Sequence, residues 1–188
     1  TVTKSGRTSK KIALTFDDGP DPVYTRQIMD ILDRYQVKGT FFVIGKNLLE
    51  NPSIAKEIVA RGHQIENHTY SHPRVNLLDY DSKVNQIKSN SELIRKITGQ
   101  KDQYFRQPYG ENNDVGFSPD VSHLEILKDL GLKASQYDIY SKDWLAESSQ
   151  AIYEKVAWYI ENSNCQYSQV LFHDSGKNAG KTVEALPR

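Results

Sequence analysis

Two adjacent carboxylates, Asp17 and Asp18, stand at the end of an apolar run in the sequence T-F-D-D-G-P. Neighbouring aspartates repel each other when both are ionised, so a cation beside them would balance the charge. A divalent metal is the simplest such cation, and His68 and His72 downstream can share a metal with a carboxylate. The pattern predicts that one aspartate binds the metal and that the other is free for proton transfer.

The two histidines of H-T-Y-S-H have the spacing of metal ligands one helical turn apart. Pro73 follows them and disfavours helical backbone at His72, which indicates a turn after a strand rather than the helix of an H-E-x-x-H protease. Two histidines and one carboxylate leave coordination positions open, as in catalytic sites. The same donor set also suits Fe(II), so an iron oxygenase is a second hypothesis.

Three further polar residues have both an ordinary and a functional interpretation. Arg106 in F-R-Q-P-Y-G could pair with any carboxylate, and Asp143 lies in D-I-Y-S-K-D-W. His173 in V-L-F-H-D could be a buried histidine beside an acidic neighbour. Because all of them, like the aspartates and histidines above, follow predicted strands, a common site is the more economical interpretation.

Short β-prone runs alternate with longer amphipathic segments along the chain. Strands are predicted at Ile12 to Phe16, Thr40 to Ile44, Gln64 to Asn67, Tyr104 to Arg106, Leu132 to Gln136 and Val170 to His173. Helices are predicted at Tyr24 to Tyr35, Ser53 to Arg61, Asp79 to Thr98, Ser122 to Leu130 and Ser149 to Asn162. The alternation indicates a parallel α/β sheet, and polar residues at so many strand ends favour an irregular barrel.

Size and composition fit one domain without nucleic-acid partners. The chain has 188 residues, with 24 Lys and Arg against 24 Asp and Glu and no basic stripe, which argues against nucleic-acid binding. No apolar stretch approaches the ~20 residues of a membrane span. The single cysteine, Cys165, excludes an intrachain disulfide. Residues 1–10 have the composition of a polar linker, so we expect a domain of a larger multidomain protein, with residues 11–188 truncated at the C-terminal end.

Five motifs, in order and across nearly the whole chain, resemble those of the polysaccharide deacetylases of carbohydrate esterase family 4, the NodB homology domain. They are T-F-D-D-G-P at 15–20, H-T-Y-S-H-P at 68–73, F-R-Q-P-Y-G at 105–110, D-I-Y-S-K-D-W at 138–144 and V-L-F-H-D at 170–174. The resemblance implies a distorted (β/α) barrel of six to seven parallel strands with surrounding helices. It also implies metal-dependent hydrolysis that removes N-acetyl groups from N-acetylglucosamine-containing glycans, such as chitin-like oligomers, peptidoglycan or poly-N-acetylglucosamine.

The roles of five residues follow from the resemblance by position. Asp18, His68 and His72 would bind a divalent metal, with Zn²⁺ expected first and Co²⁺ or Ni²⁺ also suited to the ligands. Asp17 would act as the general base and His173 as the general acid. The family acts on wall or extracellular glycans, so the resemblance also implies a location outside the cell or facing the envelope.

The same resemblance implies supporting roles around the reacting groups. Arg106 would orient the base, and Asp143 would tune the acid. The backbone N–H of Tyr109 would help to hold the oxyanion, while Trp144 and Leu171 would line a pocket for the acetyl methyl group.

The third motif and its continuation depart from the family pattern. Gln107 replaces a proline common in the family, but Pro108 still fixes the turn and is expected at the substrate pocket. The segment Glu111 to Val121 forms a longer connection than many members have, which leaves the identity of the substrate glycan open.

Two rival hypotheses stand beside N-deacetylation and the iron oxygenase named above. The same machinery could cleave O-acetyl esters of a xylan-type polysaccharide, because amide and ester pass through the same kind of oxyanion. A catalytically silent glycan-binding module would be expected to lack the base or the acid, yet both are present. Finally, Ser175 to Thr182 nearly matches a phosphate-binding loop but lacks its first glycine, so we expect a mobile loop there.

Overall fold

The structure is a computed structural model that describes residues 11–109, 121–163 and 166–188, with only the backbone described at 121 and 122. The predicted linker at 1–10, most of the long connection at 111–121 and Cys165 lie outside the described residues.

Seven parallel strands form one sheet in the order β5-β4-β3-β2-β1-β7-β6. Their bounds are β1 Lys11–Asp17, β2 Gly39–Val43, β3 Gln64–Asn67, β4 Tyr104–Phe105, β5 Lys133–Ala134, β6 Ile139–Tyr140 and β7 Tyr167–His173. The sheet is curled, with helices around it, which makes a distorted β/α barrel and confirms the predicted fold class. All carboxyl ends of the strands therefore lie at one edge, where such folds carry their sites.

Strands β1 and β7 make the longest pairing of the sheet. They pair in parallel over their whole length, from Lys11 opposite Tyr167 to Asp17 opposite His173. The ring of Phe16 stacks on Phe41 of β2 at a centroid distance of 5.1 Å, and β1, β2 and β7 are mostly buried towards their carboxyl ends. This aromatic core fixes the register of the strand ends, because a slip of one residue would turn buried side chains to the opposite face.

Seven α-helices are described around the sheet: α1 Tyr24–Arg34, α2 Gly45–Glu50, α3 Pro52–Ala60, α4 Tyr80–Thr98, α5 Val121–Asp129, α6 Ser149–Asn162 and α7 Ala179–Ala185. Two short 3-10 helices lie at Val75–Leu77 and Asp143–Leu145. Helix α4 is capped at both ends: Asp79 accepts a hydrogen bond from the Ser82 N–H, and Gly99 ends the helix with a φ of 75°. Within the described ranges, no helix is both long enough and apolar enough to cross a membrane.

The last part of the sheet differs from the sequence prediction. The strand predicted at Leu132 to Gln136 is only two residues long, and β6, which was not predicted, lies at Ile139–Tyr140. Asp143 therefore follows the sixth strand, and His173 ends the seventh. A strand of two residues is too short to show a hydrophobic period, so the sequence carried no signal for it.

Helix α7 corrects the prediction of a mobile loop at Ser175 to Thr182. Residues 179–185 are helical, and the side chain of Thr182 is fully buried. The near match to a phosphate-binding loop therefore ends in a packed helix, which begins at Ala179.

Candidate metal centre and active site

Asp18, His68 and His72 come together after β1 and β3. The Nε2 atoms of the two histidines lie 3.3 Å and 3.1 Å from Asp18 Oδ1. One ligand atom from each residue lies within 4.8 Å of the others, which is a spacing that suits a shared metal ion. Among the residues that the structure describes, this is the group of three or more metal-ligating side chains that meets that distance.

The donors of the three residues are arranged for a cation. His68 Nδ1 lies 2.8 Å from the carbonyl oxygen of Arg106, and a carbonyl can only accept, so Nδ1 donates and the Nε2 lone pair faces Asp18. Asp18 Oδ1 is buried and has no hydrogen-bond donor among the described residues. A buried oxygen facing two imidazole nitrogens without a donor is the environment that a divalent metal would complete.

Charge in this cluster favours the ionised carboxylate. Burial opposes ionisation of Asp18, but the neighbouring His68 and His72 side chains, together with the positive charge of His173, hold its pKa well below the usual range. The backbone of Asp18 is also fixed, because its carbonyl accepts from Asn47 Nδ2 at 2.7 Å. The carboxylate is thus already ionised and held in place.

Strained backbone marks the turns that carry the ligands. Asp18, Thr69, His72 and Tyr109 all have φ between 58° and 78°, a region that residues other than glycine seldom occupy. Local hydrogen bonds support these turns, since the His72 N–H donates to Thr69 Oγ1 at 3.0 Å. Unfavourable conformations of this kind persist where the surrounding structure holds them, often at functional sites.

A buried amide holds the turn that begins with His68. Asn67, which ends β3, accepts at Oδ1 from the N–H of Thr69 and from Asn90 Nδ2, and its own Nδ2 lies 3.1 Å from Asp102 Oδ2. Its carbonyl accepts from the backbone N–H of Arg106, which joins β3 to the motif after β4. Sequence reasoning did not identify Asn67, although its place directly before a candidate ligand was a signal.

Asp17 is buried beside the cluster and paired with Arg106. Asp17 Oδ1 accepts from Arg106 Nη1 at 2.8 Å, and the same nitrogen donates to Thr15 Oγ1 at 2.8 Å. The other carboxylate oxygen, Oδ2, lies 3.9 Å from His68 Nε2. The guanidinium carbon of Arg106 packs 4.0 Å from the ring centroid of Phe42. Arg106 therefore fixes one oxygen of Asp17 and leaves the other directed to the cluster.

His173 and Asp143 form a second pair at the other side. His173 Nδ1 lies 2.7 Å from Asp143 Oδ1, and the His173 N–H donates to Asp143 Oδ2 at 2.7 Å. Burial lowers the pKa of His173, but the hydrogen bond and the negative charge of Asp143 outweigh it and raise this pKa to about 9. Burial likewise opposes ionisation of Asp143, whose pKa is nevertheless lowered by His173. The imidazolium is thus the stable form near neutral pH.

Helix α7 supports this pair from behind. Thr182 Oγ1 donates to Asp143 Oδ2 at 2.8 Å, and Asn178 Nδ2 donates to the carbonyl of Trp144 at 2.8 Å. Lys181 Nζ donates to the carbonyl of Ala146 at 2.8 Å. The residues that resembled a phosphate-binding loop therefore position the segment that carries Asp143, a role that sequence reasoning missed.

Gly19 of the first motif has a steric reason to be glycine. A Cβ atom at this position would lie 2.2 Å from Oδ2 of Asp174, whose side chain is fully buried. Asp174 Oδ2 accepts from Thr25 Oγ1 at 2.5 Å, and burial raises the pKa of Asp174 to about 7. The aspartate of V-L-F-H-D thus packs under the turn that carries Asp17 and Asp18.

A cavity of about 460 Å³ opens over these groups. Its wall contains the candidate metal ligands, both pairs described above, and the predicted pocket residues Trp144 and Leu171. Trp144 is half exposed, whereas Leu171 is buried. The lining also includes Tyr137 and Tyr140, which sequence reasoning missed, and the Trp144 indole N–H donates to the hydroxyl of Tyr140.

Of two neighbouring residues in the third motif, Tyr109 lines the cavity and Pro108 does not. Tyr109 lines the cavity, and its ring lies 4.7 Å from that of His72. Pro108 is buried and is not among the described residues that line the cavity, so the structure does not place it where the sequence prediction did.

Comparisons with known proteins agree with the arrangement of these motifs. The family model for polysaccharide deacetylases matches residues 4–135. A peptidoglycan-N-acetylglucosamine deacetylase of Bacillus cereus is 35% identical over 95% of this chain and 61% of its own length. A chitooligosaccharide deacetylase of Sinorhizobium fredii is 32% identical over 93% of this chain and 76% of its own length. The chain spans only 35% of the peptidoglycan deacetylase PgdA of Listeria monocytogenes.

Solved structures show the same fold. The Bc1960 peptidoglycan N-acetylglucosamine deacetylase superimposes with a TM-score of 0.83 at 34% identity, over 96% of this chain and 80% of the other. A family 4 carbohydrate esterase of Streptomyces lividans, solved with acetate, gives a TM-score of 0.81 at 27% identity, over 95% of this chain and 84% of the other. BA3943 of Bacillus anthracis, described as a family pseudoenzyme, gives 0.80 at 25% identity, over 95% and 58%. The chain belongs to the polysaccharide deacetylases of carbohydrate esterase family 4.

Proposed function

We propose that the chain is a metal-dependent hydrolase that removes N-acetyl groups from N-acetylglucosamine-containing glycans and releases acetate. One observation carries the proposal: a carboxylate held by Arg106 and an imidazolium held by Asp143 stand on strands that pair in register, beside three converging metal ligands. Membership of the family alone would not suffice, since one of its solved members is described as a pseudoenzyme.

We assign the metal site to Asp18, His68 and His72, with zinc as the expected ion. Two imidazole nitrogens and one carboxylate are a donor set that zinc accepts with positions left open for substrate. Cobalt and nickel also suit these donors, so the native ion depends on availability as well as on the ligands. A bound divalent ion supplies a Lewis acid that polarises the acetyl carbonyl.

The general base is Asp17. Its Oδ1 is held by Arg106, and its Oδ2 is directed to the cluster and can take a proton from the attacking water. The guanidinium keeps the carboxylate in one orientation and balances its charge when the neighbouring Asp18 is also ionised. Addition of water to the acetyl carbon gives a tetrahedral oxyanion, and the backbone N–H of Tyr109 is proposed to stabilise it.

The general acid is His173. With a pKa of about 9 its imidazolium is populated at neutral pH, and Nδ1 is engaged by Asp143, so the proton available to substrate is on Nε2. Donation of this proton to the amide nitrogen lets the carbon–nitrogen bond break, which leaves acetate and a free amino sugar. Leu171 and Trp144 form the apolar wall that would receive the acetyl methyl group.

The expected partner is therefore an acetylated glycan chain. The aromatic side chains Tyr137, Tyr140 and Trp144 line the cavity, and aromatic rings of this kind can stack on the apolar faces of sugar rings. Glycans of this class are wall or extracellular polymers, so we propose an extracellular or envelope-facing site of action.

Acetate release from a panel of substrates tests the proposal. Chitooligosaccharides, peptidoglycan, poly-N-acetylglucosamine and acetylxylan are incubated with zinc-loaded protein and with the Asp17→Asn variant as a control for contaminating activity. Release from an N-acetylated glycan by the wild type alone supports the proposal. Release from acetylxylan alone would assign the site to O-acetyl esters, and no release from any substrate by metal-loaded protein would contradict the enzymatic role.

A further inference from the structure

Arg74 is fixed at the mouth of the cavity by a stack of planar groups. Its guanidinium carbon lies 4.6 Å from the ring centroid of Tyr109, and that ring lies 4.7 Å from the ring of the candidate ligand His72. Arg74 is itself exposed and lines the cavity. Stacking uses one face of the guanidinium and does not use the hydrogen-bond donors along its edge.

Lys177 lines the same cavity on the far side. Arg74 follows β3 and Lys177 follows β7, and in the sheet order two strands lie between them. The two cations therefore line the cavity after strands that lie on either side of β1, the strand that leads to Asp17 and Asp18.

The negative charges of the cavity do not neutralise these cations. Its carboxylates are Asp17, which pairs with Arg106, Asp143, which pairs with His173, and the candidate ligand Asp18. Among the described residues, no carboxylate lies within ion-pair distance of Arg74 or Lys177. Among the described residues, Arg74 and Lys177 thus give the rim of this cavity two unpaired positive charges, and a concave surface strengthens the potential of such charges.

We propose that Arg74 binds a carboxylate carried by a sugar next to the acetylated unit, and that Lys177 adds to the attraction. The preferred substrate class is then an acidic N-acetylated glycan rather than a neutral chitin-like one. A planar guanidinium suits a carboxylate because it can donate two parallel hydrogen bonds. This inference rests on the proposed function, which it narrows to a class of substrate.

A pair of matched substrates tests it. One is a soluble N-acetylated oligosaccharide in which alternate sugars carry a free carboxylate, and the other is the same compound with each carboxylate converted to its neutral methyl amide. The measured quantity is the ratio of kcat/KM for the acidic form to that for the amide form, at low and at high salt. The variants are Arg74→Gln, Arg74→Lys and Arg34→Gln, the last removing an exposed arginine of helix α1.

We expect the wild-type ratio to exceed one, to fall with salt, and to fall by about tenfold in Arg74→Gln, the size of effect that loss of a charge-assisted hydrogen bond produces. The change should appear mainly in KM. Arg74→Lys should keep part of the ratio because the charge remains, and Arg34→Gln should keep all of it. A wild-type ratio of one, or a ratio unchanged in Arg74→Gln, would overturn the inference.

Binding separates this inference from the proposed function. Calorimetric titration of the acidic and the amide oligosaccharides into the wild type and Arg74→Gln needs no turnover. If no acetate is released from either compound, the proposed function fails, while tighter binding of the acidic form that depends on Arg74 still supports the carboxylate site. If acetate is released but the affinities are equal, only the carboxylate site fails.

Discussion

Asp17 and His173 end neighbouring parallel strands and lie directly opposite each other in the register of β1 and β7. One is tied to Arg106 and the other to Asp143, so the negative and the positive group are kept apart although their strands are adjacent. Under the proposed function, this arrangement would place the proton acceptor and the proton donor on either side of one acetyl group. Because Asp17 and His173 have different partners, a substitution can change one of them and leave the other in place.

The adjacent aspartates should separate metal binding from proton transfer. Asp17→Asn keeps the candidate ligands intact, so we expect normal metal content and a loss of about 10² to 10⁴ in kcat, the range for removal of a general base. Asp18→Asn removes a ligand and should weaken metal binding itself. Metal analysis together with acetate release checks both, and an equal loss of metal in the two variants would contradict this division.

Removal of the metal should affect stability as well as activity. Loss of the ion leaves Asp18 Oδ1 buried beside two histidines without a donor, and an ion that binds the folded state stabilises it by mass action. We expect chelation to lower Tm and abolish acetate release, and added zinc to restore both. Asp18→Asn is the control, since its Tm should respond little to chelator; an equal response there would argue against a metal at this position.

Asp143 should set the basic limit of activity. The pKa of His173 is raised to about 9, so the protonated acid is lost as pH rises through that value. In a plot of kcat/KM against pH, activity should fall on the basic side as His173 loses its proton. In Asp143→Asn this falling limb should move to lower pH, towards the ordinary histidine pKa of about 6.5. Asp129→Asn, on an exposed position of helix α5, should leave the limb in place. An unchanged limb in Asp143→Asn would contradict the assignment of His173.

The same interaction has a consequence for stability. Because the folded pKa of His173 is raised, its contribution to the free energy of unfolding is full below about 6.5 and is lost as pH rises through about 9. Urea unfolding of the wild type at a series of pH values should show that the free energy of unfolding declines between about pH 6.5 and about pH 9. The decline should be smaller in Asp143→Asn.

Thr182 should act on the acid only through Asp143. Thr182→Val removes the hydroxyl that donates to Asp143 Oδ2, which we expect to cost about 1 kcal/mol of stability and to lower the pH limit of activity. Thr182→Ser keeps the hydroxyl and serves as the control for loss of the methyl group. If valine and serine give the same pH profile, Thr182 only packs the helix.

Gly19 offers a steric test of the first motif. In Gly19→Ala the new Cβ would approach Asp174 Oδ2 to 2.2 Å, and the fully buried Asp174 has little room to move. We expect a loss of about 1 to 3 kcal/mol in the free energy of unfolding, the range for an overpacked core. Gly180→Ala in helix α7, where the nearest atom would lie at 3.4 Å, is the matched control and should be neutral or stabilising.

The fold class and much of the candidate site could be predicted from the sequence where a recognisable strand ends in a polar residue. The strands that end at Asp17 and His173 have hydrophobic runs long enough to recognise, and their carboxyl ends must meet in a parallel sheet. The alternation of elements therefore predicted both the fold class and the meeting of the candidate residues.

Features that depend on tertiary contacts could not be predicted in the same way. Strand β6 is two residues long, so the cavity positions of Tyr140 and Tyr137 had no periodic signal. Helix α2 starts directly after β2 without a side-chain cap. The contact between Thr182 and Asp143 joins positions 39 residues apart, and nothing local distinguishes that threonine from a polar loop residue.

Helix α7 supports the pair of Asp143 and His173 but not the pair of Asp17 and Arg106. Asp17 depends on Arg106, whereas Asp143, the partner of His173, is held by Thr182, which is not among the residues that line the cavity. Substitutions around Thr182 are therefore expected to change the pKa of His173 while the support of Asp17 stays as it is. If His173 is the acid, such substitutions would adjust the working pH range without altering a residue that lines the cavity.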